Sequence, residues 1–427
     1  MLLQGQVSES LAEVSQGAVN NTSRMIAQGH FQSTTYALSL KTSSLSVSIN
    51  RSDVVACDRA GRLYSVYRDS RHHRRSLSGP ILQKWTAAER HRQWLDATEA
   101  DELVDWAADQ FHQFVQALGS PSWEWITPPD NASALADLIA VGERAARFDS
   151  AAARWDATRF AEVYSPIGIL PPDQYLALVL QATTGCSFNT CTFCDLYHQP
   201  FRSKTPAEFR QHLEQVRAYL GESLTLRQRS IFLGAANALA LPMARLRPIF
   251  EIVHEEPRAI PNEPSEVYAF LDAFTGTRKT VSDYQSLAAL GLRRVYIGLE
   301  SGHDPLLTFV RKPGHARDAV ETAQAIKTAG INVGVIVMIG LGGDRYADGH
   351  VADTLTALNS MSLGPGDLVY LSDLVEEPGT PYPHLAQQQD ICALTVEERT
   401  AQREVIRQGL QLNGAKVSNY DVREFVY

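Results

Sequence analysis

At 427 residues, with 44% hydrophobic and 20% charged positions, the chain is too long for one compact core and is expected to divide into two or three domains. A net charge of −9 argues against a surface built for nucleic acid or anionic membranes, and no apolar run reaches the length of a membrane-spanning helix. The first thirty residues lack a basic start and a continuous apolar core, so the expectation is a cytoplasmic protein without a membrane span.

Residues 1–45 are polar, rich in Ser, Thr and Gln, and read as a loosely held arm. In residues 46–165 a β-hairpin comes first: Val54 to Cys57 and Leu63 to Tyr67 flank Asp58-Arg59-Ala60-Gly61, whose glycine suits a turn. The basic run from Arg68 to Arg75 could grip a carboxylate or phosphate, but charge runs usually face water and a solvated loop is the simpler expectation. Helices follow. Thr98 and Asp101 resemble a capping box, and Leu103, Ala107, Phe111, Phe114 and Leu118 recur at helical spacing up to Gly119, as a packing face would. A second helix is expected from Ser133 to Phe148.

From Gly168 the rhythm changes to short apolar strands alternating with helices. Strands are expected at Leu176 to Gln181, Ser230 to Leu233, Val267 to Leu271, Arg294 to Gly298, Val333 to Met338 and Leu368 to Leu371. Helical stretches between them include Pro206 to Leu220, Met243 to His254, Asp283 to Leu290 and Arg317 to Ala329. Near-continuous apolar strands with crossover helices indicate an α/β fold with a parallel sheet, and six such units suggest a partial (β/α)6 TIM-like barrel over residues 166–383. Residues 384–427 are left as a C-terminal extension, with a helix capped by Thr395 and Glu398 and a strand-like tail from Arg423 to Tyr427.

Three of the five cysteines, Cys186, Cys191 and Cys194, fall within nine residues directly after the first barrel strand, where barrels keep their active-site loops. Thiolates are soft ligands for iron–sulfur clusters or zinc. His198, four residues after Cys194, would complete a Cys3His zinc site. A cluster on three cysteines would instead leave one iron open to a substrate or cofactor. Spacing alone leaves both open. Cys57 and Cys392 are solitary and read as buried small residues.

The cysteine loop resembles that of the radical S-adenosylmethionine (SAM) superfamily, C-x3-C-x2-C with an aromatic residue before the last cysteine. Phe193 holds the aromatic position, while the first gap is one residue longer, giving C-x4-C-x2-C. The resemblance extends over most of Pro171 to Tyr382. It implies a [4Fe-4S] cluster on Cys186, Cys191 and Cys194. It also implies a SAM amino-group site at Phe232-Leu233-Gly234-Ala235-Ala236-Asn237, which departs from the acidic Gly-Gly-Glu form and marks Gly234, Ala235 and Asn237. Glu300, within Gly298-Leu299-Glu300-Ser301-Gly302-His303, would meet the SAM ribose, and Arg311 or the better-spaced Lys312 its carboxylate. Gly340, in Met338-Ile339-Gly340-Leu341-Gly342-Gly343, would pack against the adenine, and Glu377-Pro378-Gly379-Thr380-Pro381-Tyr382 would close the barrel. Asp272 is a candidate second polar contact, or a cap toward Thr275. Taken singly, Glu300 reads as a strand-end partner of an arginine such as Arg293, and Gly340 to Gly343 as a tight turn.

The function implied is reductive cleavage of SAM to a 5′-deoxyadenosyl radical that takes hydrogen from an unidentified organic substrate, with flavodoxin or ferredoxin as electron donor. The Phe-Cys pair, Gly-Leu-Glu-Ser-Gly and Pro-Gly-Thr-Pro look closest to a cobalamin-free branch related to coproporphyrinogen-oxidase-like and methylthiotransferase-like barrels. Residues 1–165 contain no Asp-x-His-x-x-Gly, and the two remaining cysteines cannot hold an additional cluster. Two other readings stand beside this one: a non-catalytic haem or cluster carrier on the same fold, and a zinc-stabilised α/β binding protein.

Overall fold

The computed structural model describes residues 25–87, 89–197, 199–227, 230–255, 266–273, 279–377 and 379–427. The first part of the described chain is an antiparallel meander of β1 (Met25–Phe31), β2 (Thr34–Leu40), β3 (Ser44–Ile49), β4 (Asp53–Asp58), β5 (Leu63–Arg68), β6 (Arg71–Arg75), β7 (Ile81–Thr86) and β8 (Arg90–Trp94). Helix α1 (Ala97–Leu118) follows, and β9 (Trp123–Thr127) pairs back onto β1. The expected loose arm is therefore corrected beyond residue 24: β1, β2 and the start of β3 occupy 25–45. Met25, Ala27, Tyr36, Leu38, Leu40, Leu45 and Val47 point inward and are buried. The outward positions carry Gln28, Thr35, Ser39, Ser46 and Ser48. A sheet wet on one face needs an apolar residue only at every second position, which makes its composition look polar.

The hairpin turn at Asp58 to Gly61 is present, with Gly61 at φ +87°. The basic run is not a solvated loop. It is a second hairpin, β5 to β6 through Asp69 and Ser70, and its inward residues His73 and Arg75 are buried. Arg75 meets Asp156 at 3.2 Å, and Arg62 Nε holds the other Asp156 oxygen at 2.7 Å. Asp156 belongs to α3 (Ser150–Val163), which follows α2 (Ala132–Ala146). The buried ion pairs thus fasten the meander to the helix that leads into the barrel. Helix α1 begins two residues earlier than expected: Asp96 accepts from the Glu99 N–H and Glu99 accepts from the Asp96 N–H. Asp101 instead pairs with Arg154. Leu103, Ala107, Phe111 and Phe114 form the buried face, as the spacing predicted.

The second sheet is parallel throughout, in the order β10 (Leu178–Gln181), β13 (Ile231–Gly234), β14 (Val267–Leu271), β15 (Leu292–Glu300), β16 (Asn332–Ile339), β17 (Leu368–Asp373) and β18 (Lys416–Tyr420). The two-residue strands β11 (Thr183–Thr184) and β12 (Arg202–Ser203) pair across the base of the cysteine loop. Helices α4 (Pro206–Leu220), α5 (Met243–Glu255), α6 (Val281–Ala289), α7 (Asp304–Phe309), α8 (Ala316–Thr328), α9 (Gly343–Ser360), α10 (Tyr382–Gln388) and α11 (Val396–Gly409) accompany the strands. This is the expected α/β fold of partial TIM-barrel type, with a seventh strand. The tail expected as a strand at Arg423 to Tyr427 lies past that strand, because Asp421 accepts from the Arg423 N–H and turns the chain off the sheet.

Strand β10 is an edge, and side chains replace the missing neighbour. The Val179 N–H donates to the Tyr427 hydroxyl, the Tyr164 hydroxyl donates to the Val179 carbonyl, and the Gln181 N–H donates to His212 Nε2. These bonds satisfy backbone groups that would otherwise invite another strand. Asp173, just before β10, accepts from Arg294, Tyr296 and Tyr370 and so ties β15 to β17. No described helix is long and apolar enough to cross a membrane.

Candidate active site

The cysteine loop leaves β10 through β11 and is anchored at three points. Thr192, 1% exposed, donates its N–H to the Val310 carbonyl at 3.0 Å, and its own carbonyl accepts from the Tyr382 N–H at 3.0 Å. Thr190 donates its hydroxyl to the Arg311 carbonyl. Asn237 Nδ2 donates to Ser187 Oγ at 2.9 Å, while Asn237 Oδ1 accepts from the Asp272 N–H at 3.0 Å. The ends of β13 and β14, the α7 segment and the Pro381-Tyr382 segment therefore all converge on one loop. Phe193 packs beside Leu306, Val310, Leu341 and Tyr382, an apolar patch that includes residues of both the Gly-Leu-Gly-Gly and the Pro-Gly-Thr-Pro segments.

The bulge at the end of β15 puts Glu300 in the left-handed region, φ +61°, and turns its carboxylate toward Lys312. Lys312 Nζ lies 3.7 Å from Glu300 Oε1, with the two side chains only 11% and 12% exposed. Burial raises the pKa of Glu300, and Lys312 offsets part of that rise. Burial would lower Lys312, but Glu300 and then Cys191 hold it above the usual lysine value. Burial likewise pushes the Cys191 thiol up to about 12 against the pull of Lys312, and Cys194 is raised for the same first reason. Thiols, carboxylate and ammonium thus share one electrostatic neighbourhood. Gly298 makes the room: a Cβ there would fall on Glu300 Oε1 and reach 3.6 Å from Lys312 Nζ.

The other expected site residues divide. Asp272 joins this neighbourhood, contributing to the electrostatics of both Glu300 and Lys312; Thr275, its alternative partner, lies outside the described residues. Glu300 pairs with Lys312 rather than Arg293, whose partner is Glu266. Arg311 is exposed, so Lys312 is the cation that faces inward. Gly234 and Ala235 lie at the end of β13, where the Ala235 N–H donates to Thr183 Oγ1 and the Gly234 carbonyl accepts from the Ala182 N–H. Gly340 faces helix α11: its N–H donates to Gln402 Oε1, and a Cβ would sit 3.0 Å from Arg399 Cδ.

His198 is outside the described residues. Cys57 is buried as expected, whereas Cys392 is exposed, because it lies in the loop between α10 and α11. Sequence reasoning marks Ser187 and Thr192 only as small residues around the thiols and misses their anchoring role, along with the trio Ser301, His350 and Thr354. In that trio, Ser301 Oγ meets His350 Nδ1 at 2.8 Å, and the Gly302 N–H donates to Thr354 Oγ1. These side chains have no signature spacing; only the crossing of β15 with α9 brings them together.

Among the described residues no group of three or more His, Cys, Asp or Glu side chains is set to hold a metal ion. The three thiols share the loop without converging on one point. Their chemistry nevertheless fits a sulfur-ligated cluster, with three soft donors on one short segment and a buried acid–base pair beside them.

The family model for the Radical SAM superfamily matches residues 180–355, from the end of β10 into α9. The chain carries a radical SAM domain. The cofactors of this family are a [4Fe-4S] cluster and SAM, and the matched span contains the cysteines, Glu300 and Lys312. No curated protein matches the chain. Solved structures that resemble it include HydG, a maturase of the [FeFe]-hydrogenase, with 16% identity, TM-score 0.39, and coverage of 75% of this chain and 65% of that one. Coproporphyrinogen III oxidase (HemN) from Escherichia coli gives 14% identity, TM-score 0.40, and coverage of 59% and 56%. The cobalamin-dependent radical enzyme OxsB gives 16% identity, TM-score 0.36, and coverage of 55% and 31%. The chain thus spans less than two thirds of each of these structures.

Proposed function

We propose that the chain is a radical SAM enzyme in which Cys186, Cys191 and Cys194 ligate a [4Fe-4S] cluster and the adjoining pocket holds SAM. When bound, these cofactors supply reductive cleavage of SAM to methionine and a 5′-deoxyadenosyl radical, which takes hydrogen from an organic substrate. The observation that carries this reading is the buried Glu300–Lys312 pair, set against the cysteine loop at strand C-terminal ends.

Each side chain has a role its geometry supports. Lys312, held cationic beside Glu300, would pair with the SAM carboxylate, and Glu300 would accept from the ribose hydroxyls. Phe193 and its apolar neighbours keep water from one side of the loop. Asn237 and Thr192 hold the loop to the barrel rim, so that ligation gathers the thiols without unseating the loop. An electron donor such as flavodoxin or ferredoxin would be the reductant. The proposed organisation keeps residues 166–383 as the catalytic barrel and 384–427 as the extension that ends its sheet, and takes the preceding β-and-helical region back to residue 25.

Anaerobic reconstitution with iron and sulfide, reduction with dithionite and addition of SAM test the proposal. Four irons and four sulfides per chain, with 5′-deoxyadenosine formed, are expected. One zinc per chain with SAM intact would overturn it, and a full cluster with SAM intact would favour a carrier.

A further inference from the structure

Where β10 meets α3, α4 and the last residues of the chain, a cleft of about 950 Å³ opens. Its walls include Tyr164, Gln181, Lys204, His212, Gln215 and Tyr427, and it reaches both stems of the cysteine loop at Thr184 and Gln199. None of the three clustered cysteines, Glu300 or Lys312 lines it, so it is separate from the site described above. Its size lies at the upper end of cavities that enclose a small organic ligand.

The charges in this cleft are unevenly satisfied. Arg202 is spent on Glu208, at 2.5 Å, and Glu208 also caps α4 through the Thr205 N–H. Glu162 is exposed at the rim. His212 stays uncharged: burial, then Lys204, pushes its pKa down to about 3, and its Nε2 accepts from the Gln181 N–H. Lys204 alone among the cleft's described cations is half-buried with no ion pair. Burial, followed by Arg202, lowers its pKa, and Glu208 offsets part of that fall. A cation partly withdrawn from water costs free energy that a bound anion would offset. Gln199, Gln211 and Gln215 add amide donors and acceptors along the same walls.

We propose that this cleft binds a small organic anion whose carboxylate or phosphate pairs with Lys204 and whose polar body is hydrogen-bonded by the glutamine side chains. The proposal does not depend on the cluster or on SAM, and its test reads neither.

The full-length protein is incubated with pyridoxal 5′-phosphate, an anionic aldehyde that condenses with amines, then reduced with borohydride and mapped by peptide mass. Lys204 is expected to label at least tenfold faster than the exposed Lys416. Millimolar glutarate or inorganic phosphate is expected to slow the labelling at least fivefold; protection by the first alone identifies a carboxylate site, by the second alone a phosphate site. Equal rates at Lys204 and Lys416, or no protection by either anion, would overturn the proposal. In Lys204→Gln the saturable absorbance change of pyridoxal phosphate is expected to vanish, and its persistence in the folded variant would likewise overturn it.

Discussion

Asn237 donates its side-chain N–H to Ser187 Oγ at 2.9 Å, fastening the residue after Cys186 to the loop that leaves β13. The same amide accepts from the Asp272 N–H, so one buried side chain fixes three chain segments. Asn237→Ala breaks two hydrogen bonds of about 1 kcal/mol each and frees the first cysteine to wander. The expected result is a folded protein whose iron content after anaerobic reconstitution falls at least twofold. Full loading at the wild-type rate would mean that the amide does not hold the loop.

The longer gap between Cys186 and Cys191 makes the ligand set a sharp question. Alanine at Cys186, Cys191 or Cys194 is expected to abolish the cluster's absorbance and bound sulfide. Cys57→Ala and Cys392→Ala are expected to leave both unchanged, because one thiol is buried in the meander core and the other is exposed between helices. A complete cluster in Cys191→Ala would show that the ligands lie elsewhere.

Gly298 is a steric test of the polar pair. A methyl group there collides with the Glu300 carboxylate, so Gly298→Ala must displace that carboxylate from its place beside Lys312. Cluster loading is expected to remain normal while 5′-deoxyadenosine formation drops at least tenfold. Equal loss of both would place the damage in folding rather than in SAM binding.

Asp156 tests how the meander is joined to the barrel. Its carboxylate is buried and takes both Arg62 and Arg75, so Asp156→Ala leaves two guanidinium groups without it. Removing one partner from such a pair typically costs about 3–5 kcal/mol. A marked fall in thermal midpoint and early proteolysis between residues 75 and 165 are expected. An unchanged midpoint would show that the ion pairs do not hold the two sheets together.

His350 gives stability a pH dependence. The folded ring is buried, and desolvation first, then the charge of His303, lowers its pKa to about 4. Between about pH 6.5 and 4 the unfolded chain binds a proton that the folded chain refuses, so stability rises with pH through that window and is lost on acidification, by about 1.4 kcal/mol per pH unit. His212, held near 3, acts in the same direction. The urea midpoint is expected to fall from pH 7 to pH 5.5, and to fall less in His350→Asn. An equal fall in that variant would remove His350 from the account.

What the sequence by itself determined was local and periodic. Six of the seven parallel strands were legible because each holds a short, nearly continuous apolar run that is largely buried, whereas β18, Lys416-Val417-Ser418-Asn419-Tyr420 and mostly exposed, was not; helix α4 was legible because Thr205 and Pro206 mark its start. The cysteine loop was legible because three thiols in nine residues have few uses. Strands β1 and β2 were not legible, since a sheet wetted on one side spends half its residues on Ser, Thr and Gln. Nor was the fate of Arg75, because a charge run does not reveal which of its members faces Asp156 eighty-one residues away. Only the tertiary structure decided that Glu300 pairs with Lys312 and not with Arg293, that Asn237 is spent on Ser187, and that Gly340 lies under Gln402. Those choices depend on a bulge, a strand end and a packed helix meeting in space, and the energies that select them are between residues far apart in the chain.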